Sequence, residues 1–205
     1  MVKKKRVIRL LQKLIAIRSE NPCGDEHAIA RFVQRHLAAM GVAAKLYEFK
    51  KRRSNVVAEM RGAHAAGSLL ITPHLDTVPA GKGWHCDPFA GTIKDNRLYG
   101  LGATDCKVNI ACALEAMQSI VERRASLPYT LIFAATANEE SGSDFGLVAL
   151  LEKKILRPSA AVVLDADDFE IIVTQKGLLH VKIKVWGTRA HGAYPWLGVN
   201  AIAVV

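Results

Sequence analysis

The chain is best understood outward from residues Leu69 to Gly81, which read LLITPHLDTVPAG. An apolar run typical of a buried β-strand leads into His74, and Asp76 follows at the start of a loop rich in proline and glycine. Open α/β sheets collect their ligands at the carboxyl ends of their strands. The stretch therefore predicts a strand and places a candidate site at its end.

Two further apolar runs resemble this strand. They are TLIFAATA (130–137) and AAVVL (160–164), and like SLLIT (68–72) they lack the alternation of a half-exposed strand. Runs of this kind are typical of strands that helices cover on both faces. Helical periodicity appears in residues 108–124, and residues 145–154 are a further helix candidate. The pattern predicts an α/β fold with a mixed, largely parallel sheet and helices on both faces.

The first 60 residues predict two helices and a strand pair. Apolar residues recur at helical spacing over 7–17 and again over 25–40, where Gly41 is placed to end the second helix. Residues 45–49 and 55–60 are β-prone runs on either side of a charged segment. They predict an antiparallel pair near the edge of the sheet.

The composition narrows the class of protein. The 205 residues are 50% hydrophobic, which is enough to bury a sizeable core. The net charge of +9 comes largely from basic runs at residues 3–6 and 50–53, which have no interleaved aromatic residues, so we expect no nucleic-acid partner. No apolar run is long enough to span a bilayer, and no signal peptide is evident. We therefore expect a cytoplasmic protein without a membrane partner.

Candidate metal ligands follow all three apolar strands and precede the helix at 108–124. They are His74 and Asp76, Glu139 and Glu140, Asp165, and Asp105. An imidazole with several carboxylates is a ligand set for Zn²⁺ or a similar divalent ion. Without cations these carboxylates would repel one another, so bound metal explains their common position best. The sequence predicts a metal centre at this edge of the sheet.

Spacing alone leaves several roles open. Asp105 is the candidate bridge between two ions, and His74 binds metal through one ring nitrogen. Asp76 accepts a hydrogen bond from an imidazole, either that of His74 or that of a neighbouring group. One residue of the pair Glu139 and Glu140 binds metal and the other takes a proton from water, but the spacing does not decide which.

Four segments carry a family resemblance. They are HLDTVPAGKGWHCDPFAGTIKDNRLYGLGATDCKVN (74–109), ATANEESGS (135–143), AVVLDAD (161–167) and KGLLHVKIKVWGTRAHGAYPWLGVNAI (176–202). In this order they resemble the signature blocks of the M20 metallopeptidase family. The family includes acetylornithine deacetylases, succinyl-diaminopimelate desuccinylases, aminoacylases and related carboxypeptidases.

The resemblance implies an active site with two Zn²⁺ ions, for which Co²⁺ or Mn²⁺ are substitutes. The roles it implies are His74 and Asp165 on one ion, Asp105 as the bridge, Glu140 on the second ion, Glu139 as general base, and Asp76 as the partner behind the ligands. It also implies a cis peptide bond after Asp105. The implied activity is hydrolysis of an amide bond in a small peptide or an N-acylated amino acid by metal-activated water.

The resemblance also implies a domain organisation. Residues 1–175 would form the N-terminal portion of the catalytic domain, and residues 176–205 would begin an inserted α+β lid domain that makes a homodimer. Residues 179–185 alternate apolar and polar side chains and predict the first strand of this lid. His191 matches a lid histidine that reaches the active site of the partner subunit and steadies the oxyanion.

The end of the chain departs from the family pattern. The sequence stops early in the lid, so we expect a truncated chain without the family's last zinc-binding histidine. The substrate identity stays open, because the lid and the returning segment contribute to the specificity pocket. The alternative hypothesis is an inactive remnant that binds metal or a partner chain, which zinc stoichiometry and a hydrolysis assay would distinguish.

Overall fold

A computed structural model of the chain describes residues 2–63, 67–165, 170–174, 176–177, 179 and 181–204. The chain divides into two compact units, Met1–Glu170 and Ile171–Val205. The first unit contains helices α1 (Lys4–Ile15), α2 (His27–Ala39), α3 (Lys107–Glu122) and α4 (Leu147–Glu152), and strands β1 (Ala44–Lys50), β2 (Arg53–Met60), β3 (Ser68–Thr72), β4 (Thr92–Lys94), β5 (Arg97–Tyr99), β6 (Thr130–Ala135) and β7 (Ala160–Val163).

Five strands form one mixed sheet in the order β1-β2-β6-β3-β7. Strand β3 runs parallel to both of its neighbours, with Leu70 opposite Ile132 on β6 and Ala161 on β7. Strands β1 and β2 are antiparallel to each other, and β2 is antiparallel to β6. The predicted fold class and the antiparallel pair at the sheet edge are confirmed.

Strand β6 shows why the apolar runs lack alternation. Leu131 and Phe133 pack into a core cluster with residues of α1, α2 and α3 on one face of the sheet. Ile132 and Ala134 pack into a second cluster with Leu150 of α4 on the other face. Because both faces of the strand are covered, consecutive residues are all apolar.

Strand β7 differs from the prediction that it is covered on both faces. All four residues of Ala160–Val163 are exposed, including Val162 at 46% and Val163 at 59%. The strand lies at the edge of the sheet, and no described element packs over it. Its apolar sequence therefore indicates a strand correctly but overstates its burial.

Helix α1 begins earlier than the apolar periodicity indicates. It includes the basic residues from Lys4 onward, because Arg6 forms an ion pair of 2.7 Å with the buried Glu115 of α3 and a second pair with Glu122. Helix α2 ends as predicted: Gly41 has a φ of +80°, and its N–H donates to the carbonyl of Ala38.

A small hairpin of β4 and β5 lies outside the main sheet. Asp95 and Asn96 connect its strands, and both have positive φ values, of 50° and 57°. Two consecutive positive φ values are typical of the tight hairpin turn that Asn and Asp favour. The sequence analysis did not predict this hairpin, because each of its strands is only three residues long.

The second unit contains short 3₁₀ helices at Pro195–Leu197 and Ala201–Val204. The predicted strand at residues 179–185 is wrong for the part that is described, since residue 179 and residues 181–185 are not in a strand. An extended segment needs a neighbouring strand for its hydrogen bonds, and the described pairing here is one bridge between Thr188 and Val199. The assignment of residues 1–175 and 176–205 to a catalytic domain and a lid stays a prediction.

Among the described residues there is no helix with the length and apolar character needed to cross a membrane.

Adjacent leucines of α4 provide a test of the second core cluster. Leu150 is fully buried and Leu151 is 44% exposed. We expect Leu150→Ala to lower the free energy of unfolding by about 2–5 kcal/mol, because it leaves a cavity against the sheet. Leu151→Ala should change it by about 0.5 kcal/mol or less. Urea denaturation followed by circular dichroism measures both, and equal losses would contradict the packing of α4 on the sheet.

Candidate metal centre

The parallel strands bring three chain segments to one edge of the sheet. His74 forms a parallel bridge with Thr136 just beyond the ends of β3 and β6, and the Leu75 N–H donates to the carbonyl of Thr136 at 2.7 Å. On the other side, the N–H of Leu164 donates to the carbonyl of Thr72 at 3.0 Å. The segments that follow β3, β6 and β7 therefore lie side by side, as the sequence analysis expected.

Four residues place potential metal-binding atoms within 4.8 Å of one another: His74, Asp105, Cys106 and Asp165. Asp105 Oδ1 lies 2.8 Å from His74 Nε2, and Asp165 Oδ1 lies 3.5 Å from the same nitrogen. Asp105 comes from the loop before α3, and the peptide bond that follows it is cis. Three of the four predicted ligands are thus brought together.

The hydrogen bonding of His74 indicates what this cluster binds. Its Nδ1 lies 2.9 Å from the backbone carbonyl of Asp76, so Nδ1 carries the ring proton of the neutral imidazole. In the neutral ring the lone pair on Nε2 would face the carboxylates of Asp105 and Asp165, which is repulsive unless a proton or a cation lies between them. Imidazole nitrogen and carboxylate oxygen are donors that suit a divalent metal ion. The residues present therefore fit a metal.

The pKa values of His74, Glu139 and Glu140 are all raised. Burial acts to lower the pKa of His74, but interaction with the nearby carboxylates of Asp165 and Asp76 raises it above its ordinary value. Burial raises the pKa of Glu139 and of Glu140, and nearby carboxylates add to both shifts. The site thus favours a bound cation or proton, because it gathers several carboxylates around one buried imidazole.

Glu139 and Glu140 lie on a 3₁₀ turn, Glu139–Ser141, which follows Asn138 in the left-handed conformation. Glu139 lines a cavity of about 100 Å³ together with His74 and Asp165. The carboxylate of Glu140 is not part of the described four-residue cluster, although burial and then the charge of Asp105 raise its pKa. The structure brings Glu139 to the site and places Glu140 beside it.

Asp76 contacts both His74 and the turn that carries Glu139 and Glu140. Its carboxylate Oδ1 is 3.6 Å from His74 Nδ1, longer than the 2.9 Å from its backbone carbonyl to the same atom. The side chain instead accepts the backbone N–H groups of Glu139 and Glu140, each at 3.1 Å. Asp76 thus holds the imidazole through its main chain and the Glu139–Glu140 turn through its carboxylate.

His191 lies in the second unit and is exposed. Its Nδ1 accepts the N–H of Ala193 at 3.1 Å, and its ring packs against Tyr194 with 5.8 Å between ring centroids. Its predicted role in a partner's active site stays a prediction.

The sequence analysis missed several residues that support the site. The thiol of Cys106 is fully buried, accepts the backbone N–H of His74 at 3.1 Å and donates to the backbone carbonyl of His74 at 3.3 Å. Arg53, which belongs to the basic run at residues 50–53, is only 6% exposed and pairs with Glu26. Asn21 donates to the carboxylate of Asp76. No spacing rule indicates these contacts, because each joins residues distant in sequence.

Comparison with known proteins decides the family. Residues 70–197 match the profile of Peptidase family M20/M25/M40. The chain belongs to this family. Acetylornithine deacetylases of Salmonella paratyphi B and Salmonella newport are each 38% identical to it over 143 residues. The alignment covers 69% of this M20 chain and 37% of either relative, so the chain spans little more than a third of their length.

Solved structures of the family share the fold. An M20 metallo-carboxypeptidase from Sulfolobus solfataricus has a TM-score of 0.69 at 26% identity, covering 78% of this chain and 37% of that one. A Staphylococcus aureus tripeptidase has a TM-score of 0.71 at 23% identity, covering 100% of this chain and 55% of that one. A Bacillus subtilis protein described as a dinuclear metal-binding M20 peptidase has a TM-score of 0.59 at 21% identity, with 78% and 42% coverage.

We expect the metal-free M20 chain to bind Co²⁺ or Zn²⁺ in isothermal titration calorimetry. His74→Ala and Asp165→Asn should each weaken this binding by at least about tenfold, because each removes a donor from the cluster. Asp95→Asn is the matched control, since Asp95 is exposed in the β4–β5 hairpin at a φ that Asn also adopts. Wild-type affinity in Asp165→Asn would exclude Asp165 as a ligand.

Proposed function

We propose that this chain is a zinc-dependent hydrolase that cleaves an amide bond in a small peptide or an N-acylated amino acid. The observation that carries the proposal is the convergence of Asp105 and Asp165 on His74 Nε2, at 2.8 Å and 3.5 Å, with Glu139 lining the same cavity. Membership of the M20 family and 38% identity to acetylornithine deacetylases support the amide-hydrolase class.

The proposed metal-binding residues follow the family pattern. His74 and Asp165 would hold one ion, Asp105 would bridge, and Glu140 would contribute to a second ion. The proximity of His74, Asp105 and Asp165 supports the first three assignments, and the position of Glu140 on the adjoining turn supports the fourth. Zn²⁺ bound there would polarise the amide carbonyl and lower the pKa of water.

Glu139 is the proposed general base. Its carboxylate lines the cavity beside His74 and Asp165, where water attacking the amide carbon would lie. It takes the proton of that water on a carboxylate oxygen and passes it to the leaving nitrogen. The products are then a carboxylic acid and a free amine.

The remaining parts of the proposal concern the whole protein. His191 of a partner subunit would steady the oxyanion, which requires a homodimer formed through a lid domain that begins near residue 176. Asp76 would position the active site, and the protein would act in the cytoplasm without a nucleic-acid or membrane partner. The roles of His191, Asp76 and the homodimer rest on the family resemblance, and the location and the expected partners rest on the composition of the sequence.

The test is a hydrolysis assay of the zinc-loaded chain with N-acetylornithine, other N-acetyl amino acids and dipeptides. We expect Glu139→Gln to lower kcat by about 10²–10⁴-fold, because proton transfer from water is lost. The zinc affinity should not change. Glu152→Gln is the control, since Glu152 is exposed at the end of α4, and it should keep wild-type activity.

Two results would contradict the proposal. Equal kcat values for the wild type and Glu139→Gln would remove Glu139 from the mechanism. A chain that binds zinc at the cluster but hydrolyses none of these amides would be a metal-binding protein without this activity.

A further inference from the structure

We propose that Asn21, Glu26 and Arg53 are positioning residues that hold the Asn138–Glu140 turn of the active site in place. They act together with Asp76. The proposal rests on the proposed function for its catalytic consequence, whereas its structural content concerns only the first unit of the chain.

The turn donates three consecutive backbone N–H groups to buried carboxylates. The N–H of Asn138 donates to Glu26 Oε1 at 3.2 Å, and those of Glu139 and Glu140 donate to the two oxygens of Asp76 at 3.1 Å each. Both carboxylates are 0% exposed. These bonds therefore fix the main chain that carries the Glu139 and Glu140 side chains, and they leave both of those carboxylates free.

A further set of contacts fixes the two carboxylates. The side-chain amide of Asn21 donates to Asp76 Oδ2, and its carbonyl oxygen accepts from Arg53 Nη2 at 2.9 Å. The same Nη2 lies 2.8 Å from Glu26 Oε1. The contacts form a closed ring that runs from Arg53 through Asn21, Asp76 and the turn to Glu26, and back to Arg53.

The ring joins parts of the chain that are distant in sequence. Asn21 and Glu26 flank the loop before α2, Arg53 begins β2, and Asp76 follows β3. Buried hydrogen-bonded networks of this kind specify one geometry, because each member left without its partner carries a desolvation cost. A purely apolar contact would hold the segments together without fixing the direction of the carboxylate oxygens.

The loop at Gly24 packs against the Arg53 guanidinium and keeps it in this position. Gly24 has a φ of +59°, and a Cβ built on it would lie 1.8 Å from Arg53 Nη1. Only a residue without a side chain allows the loop to approach the guanidinium this closely. The packing of the loop against Arg53 is thus part of the same arrangement.

Asn21→Ala is the variant that tests the ring, because it removes the contact to Asp76 and leaves the Arg53–Glu26 pair in place. We expect the Glu139 and Glu140 amides to exchange with solvent at least about tenfold faster in this variant, relative to amides of α3. Hydrogen exchange followed by NMR on the metal-free chain measures this directly. The readout does not depend on metal or activity.

Ser19→Ala is the matched control. Ser19 lies two residues earlier on the same segment, is 1% exposed, and donates to the carbonyl of Leu75 at 2.7 Å. It therefore loses one buried hydrogen bond without loss of any contact to the Asp76 carboxylate. We expect its Glu139 and Glu140 amides to keep the wild-type exchange rates relative to amides of α3.

Two further measurements separate positioning from general stability. Asn21→Ala should bind Co²⁺ about 10–100-fold more weakly than Ser19→Ala, as is typical when a residue behind a metal ligand is lost. Glu26→Ala should speed exchange of the Asn138 amide; if the unpaired Arg53 prevents this variant from folding, Asn21→Ala still decides the question.

The outcomes distinguish this inference from the proposed function. Equal exchange of the Glu139 and Glu140 amides in Asn21→Ala and Ser19→Ala overturns the inference, whatever the hydrolysis assay shows. Selective loss of protection in Asn21→Ala supports it, even where the wild-type chain hydrolyses no amide. In that second case only the proposed function fails.

Discussion

The rest of the site depends on the environment of one nitrogen atom, His74 Nε2. The other ring nitrogen donates to the carbonyl of Asp76 at 2.9 Å, so in the neutral ring the lone pair of Nε2 would face Asp105 and Asp165. Such an arrangement requires a positive charge between the imidazole and the carboxylates. The parallel pairing of β3 with β6 and β7 creates it, because it sets the ends of three strands side by side. The fold thus places two carboxylates against one imidazole nitrogen, and a divalent cation bound between them would relieve their repulsion.

Most of the sheet could be predicted from the sequence, because β3 and β6 are apolar on both faces and each strand is long enough to show it. The same rule overstated the burial of β7, since an apolar sequence does not tell which strand lies at the edge. The strand predicted at 179–185 failed for its described part for a related reason. Alternation describes a strand with one wet face, but a strand also needs a neighbour to accept its hydrogen bonds.

The candidate site could be predicted in part for the same physical reason. His74, Asp105, Glu139 and Asp165 follow strands or precede a helix, and topology alone brings such positions together. The supporting residues could not be predicted in this way. Arg53 resembles the solvated charges beside it, and its burial depends on Glu26 and Gly24, which lie 27 and 29 residues earlier in the chain. Long-range pairing of single side chains leaves no periodic signal in one sequence.

The hydrogen-bond partners of the buried acids divide them into two groups. Asp76 accepts two backbone N–H groups and a side-chain amide, and Glu26 accepts a backbone N–H and the Arg53 guanidinium. Both Asp76 oxygens thus have donors, whereas Glu26 Oε2 is buried without a described hydrogen-bond partner and burial raises the pKa of Glu26 to about 7. Among the described residues, Asp105 has only His74 as a partner within hydrogen-bond distance. Asp105 Oδ1 and Asp165 Oδ1 both approach His74 Nε2, so these two acids are the ones placed to share a cation with the imidazole. The division explains how one site holds many carboxylates. Asp76 and Glu26 bind the backbone of the turn, whereas Asp105 and Asp165 are available to bind a metal ion.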